Sequence, residues 1–156
     1  MAKKENRMHS KPEPELDVNP FQQLDQIVRT LRSPDGCPWD QRQTEKTLKK
    51  YLLEEAAELA EALDAEDQEH IREEIGDMYF ILSLLSLIME EKGGLPATEP
   101  VQKICAKMLR RHPHVFARKE GQVLSEEELR EQWERIKQEE KADKAAKKKN
   151  EQENVF

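Results

Sequence analysis

Apolar residues recur at helical spacing through most of the chain, and no alternating, strand-like pattern survives where the sequence reads as folded. Asn19-Pro20 pairs a capping residue with a proline suited to a first helical turn. Leu24, Ile27, Val28 and Leu31 follow on one face, so the spacing predicts a helix up to Leu31. Ser33 to Pro38 holds two prolines and a glycine and reads as a loop. Thr44 or Thr47 caps a second helix with Leu48, Tyr51, Leu52, Ala56, Leu59, Ala60 and Leu63 on one face. Asp64 to Asp67 predicts a short turn with Asp67 as cap, and a third helix runs from about Gln68 to Lys92, stopped by Gly93-Gly94. So short a connection predicts an antiparallel hairpin. Thr98 to Pro100 open a fourth helix that continues to about Arg111 and is ended by Pro113. Ser125 to Glu128 is a capping box for a fifth helix carrying Leu129, Trp133 and Ile136. The fold class is all-α.

The third helix is apolar nearly all round from Met78 to Met89, interrupted only by Ser83 and Ser86. One hairpin cannot cover such a surface, so a second subunit is expected against it. Residues 1–16 hold Lys, Glu, Pro and little to bury, which predicts a disordered leader; 17–141 read as one domain, and 142–156 as a charged, frayed helical tail. Charged residues make up 38% of the chain, with only 5 Gly and 5% aromatics, a balance that suits helices better than a β sandwich or barrel. The net charge of -7 argues against direct nucleic-acid binding. Cys37 and Cys105 lie far apart without metal or CxxC spacing, so neither a disulfide framework nor a zinc site is suggested. The first residues are polar and charged and lack the apolar stretch of a signal peptide, and the Met78 to Met89 run falls well short of the roughly 20 residues a membrane span needs. A soluble, cytoplasmic protein with no membrane partner is the expectation.

Candidate chemistry lies in the hairpin. At about 100° per residue the leucines at 48, 52, 59 and 63 centre a stripe from which Glu55 departs by only about 50°. Glu55 is thus a carboxylate inside an apolar stripe, with Glu58 at its edge and Glu54 and Glu61 further out. An unpaired buried carboxylate is costly and calls for a cation or a raised pKa. On the third helix Glu74 and Asp77 sit three apart beside Met78 and Ile81, expected to be buried. Four acids meeting across a hairpin repel by about 1–4 kcal/mol for each close pair, which requires a counter-ion. An oxygen-only ligand set suits Mg²⁺ first and Mn²⁺ second rather than zinc. Either acidic pair alone would be an ordinary charged helix face. Two on consecutive helices, one member inside an apolar stripe, favour a metal site.

Glu54-Glu55-Ala56-Ala57-Glu58 and Glu73-Glu74-Ile75-Gly76-Asp77 resemble the EExxE and ExxD motifs of the all-α nucleoside triphosphate pyrophosphatases, and within them the MazG family. Cys37-Pro38-Trp39-Asp40 with Gln43-Thr44 and Thr47-Leu48, Lys107 to Phe116, and Trp133 to Lys137 with Glu140-Lys141 match the family pattern in order, over about residues 20–141. The resemblance implies hydrolysis of NTPs to the monophosphate and pyrophosphate. It makes Glu55, Glu58, Glu74 and Asp77 the Mg²⁺ ligands and Glu54 and Glu55 catalytic, with Glu54 assisting the attacking water or a further metal. It also implies substrate binding by Lys107, Arg111, Trp133, Lys137 and Trp39, and a homodimer or tetramer with four-helix-bundle cores. Relatives usually carry Gln and His midway along the third helix, where this chain has Ile81 and Leu85, and base preference does not carry over.

Plainer readings stand beside these. Lys107, Arg110 and Arg111 also suit a helix C-terminus. Trp133 more often packs as core than stacks on a base. His112 and His114 flank a proline without metal spacing and fit structural hydrogen bonding. Trp39 and Asp40 either serve the pocket or anchor their loop. A ferritin-like di-iron site wants a His three residues after a Glu, and no Glu here has one. A narrow-specificity sibling, dUTPase-like or phosphoribosyl-ATP pyrophosphohydrolase-like, would share the metal site; a helical adaptor without activity is the rival of another class.

Overall fold

The computed structural model describes residues 19–117 and 123–153, without the side chains of 144 and 147–153. The leader expected over 1–16 and the last residues of the tail, 154–156, lie outside the described residues. Seven helices form among the described residues, with no strand: α1 Pro20–Arg32, α2 Pro38–Gln41, α3 Glu45–Asp64, α4 Gln68–Glu91, α5 Glu99–Arg111, α6 Pro113–Phe116 and α7 Glu126–Glu153. They fall into two compact units divided between Thr98 and Glu99. None of the helices is long and apolar enough to cross a membrane.

Local chemistry sets the ends of the elements in the first unit. The Asn19 side chain accepts the Phe21 amide at 2.9 Å, satisfying one of the amides a helix start leaves open. The cap of α3 uses both threonines: Thr44 Oγ1 accepts the Thr47 amide, and Thr47 Oγ1 accepts the Thr44 amide. Asp67 accepts the amides of Glu69 and His70, both at 3.1 Å, and opens α4. Gly93, at φ 79°, supplies the left-handed residue that ends α4. The loop after α1 needs Gly36, because a Cβ there would meet the Leu31 carbonyl oxygen at 2.2 Å. Part of the expected loop is helical: Pro38 opens the single turn of α2, short-range geometry that periodicity does not register.

The core lies where α1 and α3 pack on α4. Val28, Leu48, Ile81, Leu84, Leu87 and Ile88 are buried together, with Leu24, Tyr51, Leu52, Phe80 and Leu85 packed against them. Ile81 and Leu85 therefore contribute to packing, as expected of a more apolar interior. The expected face of α3 needs correction. Leu48 and Ala62 are its buried residues, while Ala56, Ala60 and Leu63 are exposed. The apolar residues of α3 form two stripes rather than one: an inner one against α4 and an outer one, Leu53, Ala56, Ala60 and Leu63, spaced three, four and three apart. On α4, Ile75, Tyr79, Leu82 and Met89 form a comparable exposed stripe.

Ion pairs hold α1 across the end of α4. Arg29 makes a bidentate pair with Glu90 at 2.9 and 3.1 Å, and Arg32 grips Glu91 while donating to the carbonyls of Asp40 and Gln43. Two glutamates at a helix C-terminus oppose the helix dipole, and these arginines offset that. In the second unit α5 packs against α6 and α7. Ile136 is its buried apolar residue among those described. Ser125 and Glu128 form the expected capping box of α7, which continues beyond Lys141 to Glu153.

Leu84 is fully buried, so Leu84→Ala is expected to lower unfolding free energy by about 2–5 kcal/mol, read by chemical denaturation. Arg29 and the Ala97 amide hold the Glu90 carboxyl down from 4.5 to about 2. The pair's contribution is therefore complete above pH 4.5 and is lost as pH falls towards 2, where the folded state at last takes up the proton. Glu90→Gln is expected to destabilise the protein at neutral pH and to shallow its acid-induced loss of stability over that range.

Candidate metal centre

Two facing helices bring the carboxylates together. The inner stripe of α3 runs from Leu48 at 0° to Ala62 at about −40°, and Glu55, at about −20°, lies midway between these two buried residues. Glu55 is half-buried and Glu58, one turn on, is exposed. From α4, Glu74 is buried, its relative exposure only 3%. One carboxylate oxygen from each of Glu55, Glu58 and Glu74 falls within 4.8 Å of the others. Burial pushes the Glu55 pKa up, and the charges of Asp77, Glu58 and Glu74 raise it further.

Glu74 carries the sharpest sign of an incomplete site. Its Oε1 is 2.9 Å from His70 Nε2, one turn earlier on α4, while its Oε2 is buried with no partner. Buried carboxylate oxygens are ordinarily satisfied, and leaving one bare beside two more acids costs several kcal/mol without a cation. The donors are all carboxylate oxygens, which fits a hard divalent ion. Glu55, Glu58 and Glu74 thus converge as the sequence suggests. Asp77 lies outside this tight group, on the exposed side of α4, yet near enough for its charge to raise Glu55. Glu54 is also outside it, exposed and 3.3 Å from Lys50 on the same helix.

Trp39 is half-exposed on α2, its ring edge-on to Tyr51 with centroids 5.3 Å apart. Asp40 is buried, with Oδ1 unpartnered. The segment is knitted to α3 by Gln43, whose amide donates to the Trp39 carbonyl and whose Oε1 accepts from Thr47. Neither Gln43 nor Arg32 stands out as a scaffold residue in the sequence, because the contacts that tie down this segment end on the backbone carbonyls of Trp39, Asp40 and Gln43, which carry no side-chain signature. His70 was missed for a different reason: its partner Glu74 lies four residues later, whereas metal-motif reasoning looks for a His after a Glu.

In the second unit Arg110 and Arg111 both grip Glu140, at 2.5 and 2.6 Å, and hold its carboxyl down to about 2. Arg111 lies over Trp133 with its guanidinium carbon 5.0 Å from the ring centroid, and His112 meets the same ring edge-on. Lys107 is half-buried one turn before Arg111 on α5, and Lys137 is 3.2 Å from Glu134. Structural hydrogen bonding accounts for both histidines: His112 bonds the Met108 carbonyl and His114 the Gln132 amide. Arg111 and Trp133 form one stacked group, and Lys137 stands on the helix that supplies Trp133.

Known proteins share sequence and fold with this chain. Residues 43–116 match the model of the MazG nucleotide pyrophosphohydrolase domain. The uncharacterized protein YabN of Bacillus subtilis (strain 168) is 43% identical over 129 residues, 83% of this chain and 26% of that protein. The nucleoside triphosphate pyrophosphohydrolase/pyrophosphatase MazG of Thermotoga maritima is 39% identical over 124 residues, 80% of this chain and 46% of that one. The chain thus spans less than half the length of these two curated relatives. It is also similar to the crystal structure of a mazG-related protein from Thermotoga maritima, with a TM-score of 0.64 and 31% identity, covering 75% of this chain and 98% of that one. With that coverage and the acidic hairpin in place, the chain belongs to the MazG family of nucleotide pyrophosphohydrolase domains.

Proposed function

We propose that this chain hydrolyses nucleoside triphosphates, NTPs or dNTPs, to the monophosphate and pyrophosphate at the carboxylate centre of the α3–α4 hairpin. The observation that carries this reading is the buried, unpartnered oxygen of Glu74 among the carboxylates of Glu55 and Glu58. Glu55, Glu58 and Glu74 would hold Mg²⁺, or Mn²⁺ in its place, with Asp77 as a fourth ligand. When bound, the ion supplies positive charge against the triphosphate and lowers the pKa of a coordinated water. Glu55, whose affinity for a proton is raised by its surroundings, and Glu54 would orient the attacking water and accept its proton. The family resemblance supports substrate-binding roles for Trp39 in the first unit and for Lys107, Arg111, Trp133 and Lys137 in the second, cations suiting phosphate oxygens and rings suiting a base. No covalent nucleophile is required.

The expected result from a panel of standard and damaged NTPs and dNTPs is release of monophosphate and pyrophosphate only with the divalent ion present. Glu55→Gln should fall by about 100-fold or more, and Asp77→Asn should also lose turnover. A well-folded wild type that turns over no member of the panel overturns the enzyme reading and leaves a helical adaptor. Turnover of one nucleotide alone would instead mark a narrow-specificity sibling.

The same proposal includes a homodimer, able to pair further into a tetramer, whose hairpins complete a four-helix core. The support is the pair of exposed apolar stripes, Leu53 to Leu63 on α3 and Ile75 to Met89 on α4, at spacings suited to helix-on-helix packing. Sedimentation at micromolar concentration should give a dimer or larger, and Leu82→Glu should shift it towards monomer. A monomeric wild type would remove the bundle. The free thiols of Cys37 and Cys105 suit the reducing, cytoplasmic setting proposed for it.

A further inference from the structure

We infer that His70 is a positioning residue for the metal centre, holding Glu74 by Oε1 so that Oε2 is kept for a cation. This inference rests on the metal site proposed above and concerns a residue outside its acidic motifs. His70 Nε2 lies 2.9 Å from Glu74 Oε1, with the His70 side chain 43% exposed and that of Glu74 4%. An ionised carboxylate only accepts, so the imidazole donates through Nε2–H. The remaining oxygen, Oε2, is the one that is buried without a partner.

The histidine is itself held. Its backbone amide donates to Asp67 Oδ1 at 3.1 Å, within the cap that opens α4. A chain of contacts therefore runs from the turn between the hairpin helices, through the first turn of α4, to a carboxylate in the acidic group. Carboxylates that bind metals ordinarily take a hydrogen bond from the protein on the metal's far side, and such supports contribute to affinity. A surface pair four residues apart would instead strengthen the helix slightly and leave metal binding alone. The burial of Glu74 and the bare Oε2 favour support over surface pairing. Without His70, Glu74 would keep its place on α4 and lose the bond that fixes its carboxylate plane.

The test is Mn²⁺ titration of the full chain, followed by the loss of the free-ion paramagnetic resonance signal, alongside thermal unfolding without metal. His70→Ala is expected to weaken Mn²⁺ binding by about 10-fold or more while leaving metal-free unfolding nearly unchanged. His70→Gln, which keeps a donor on a side chain of similar reach, should recover most of the affinity. Wild-type affinity in His70→Ala, with binding abolished in Glu74→Gln, would overturn the positioning role and leave the metal centre standing. A Gln variant as weak as the Ala variant would overturn the hydrogen bond as its basis. Absence of Mn²⁺ uptake by the wild type would overturn the metal centre and this inference together.

Discussion

Repulsion among carboxylates is the constraint around which the hairpin is organised. Glu55, Glu58 and Glu74 bring oxygens within 4.8 Å of one another, and at that range like charges in a half-buried setting repel by several kcal/mol. Burial adds to the cost, since Glu74 is almost wholly removed from water. Helix packing enforces the arrangement: Glu55 lies between Leu48 and Ala62 on the face that α3 turns to α4, and Glu74 lies about two turns before Ile81 on the same face of α4. Moving either acid into water would unseat its apolar neighbours. The proton affinity of Glu55, raised by burial and by three neighbouring charges, registers the same strain.

A hairpin under that strain needs to be held from elsewhere. The apolar core beyond the acids does most of this, with Leu84 and Ile88 of α4 closed over by Val28 of α1 and Leu48 of α3. Arg29 and Arg32 add a clamp at the far end of α4, where Glu90 and Glu91 would otherwise stand against the helix dipole. Both arginines come from the last turn of α1. Arg32 also reaches the carbonyls of Asp40 and Gln43, so one residue ties the proline-tryptophan segment to the end of α4.

The second unit shows how the same residue types serve different ends. Arg110 and Arg111 converge on Glu140, and Trp133 lies against Arg111, so opposite charges here satisfy one another. Glu55, Glu58 and Glu74 of the hairpin have no arginine or lysine partner among the described residues, and the contact of Glu74 with His70 is the one basic contact in the group. Satisfied charge at Glu140 and unsatisfied charge in the group of Glu55, Glu58 and Glu74 follow from partner supply, because α3 and α4 direct no arginine or lysine at that group.

The helical class, the caps at Asn19, Thr44, Asp67 and Ser125, and the hairpin were legible in the sequence because each depends on contacts a few residues apart. The acidic motifs were legible for the same reason, and Glu55 could be singled out because helical periodicity alone places it among leucines. Which apolar residues of α3 face inward was not legible. Leu63 is larger and more apolar than Ala62, yet the position of α4 leaves Ala62 buried and Leu63 exposed. The single turn of α2 escaped notice because it is too short to carry a period. The ranking within the metal group also waited for tertiary structure: Glu74 proved more buried than Glu55, and His70 entered the site through one side-chain contact. The chain by itself determined which helices form and which carboxylates they carry, since both are set by neighbours along the backbone. Only packing decided that Glu74 Oε2 and Asp40 Oδ1 would be buried without a protein partner, because burial depends on atoms brought together from different helices.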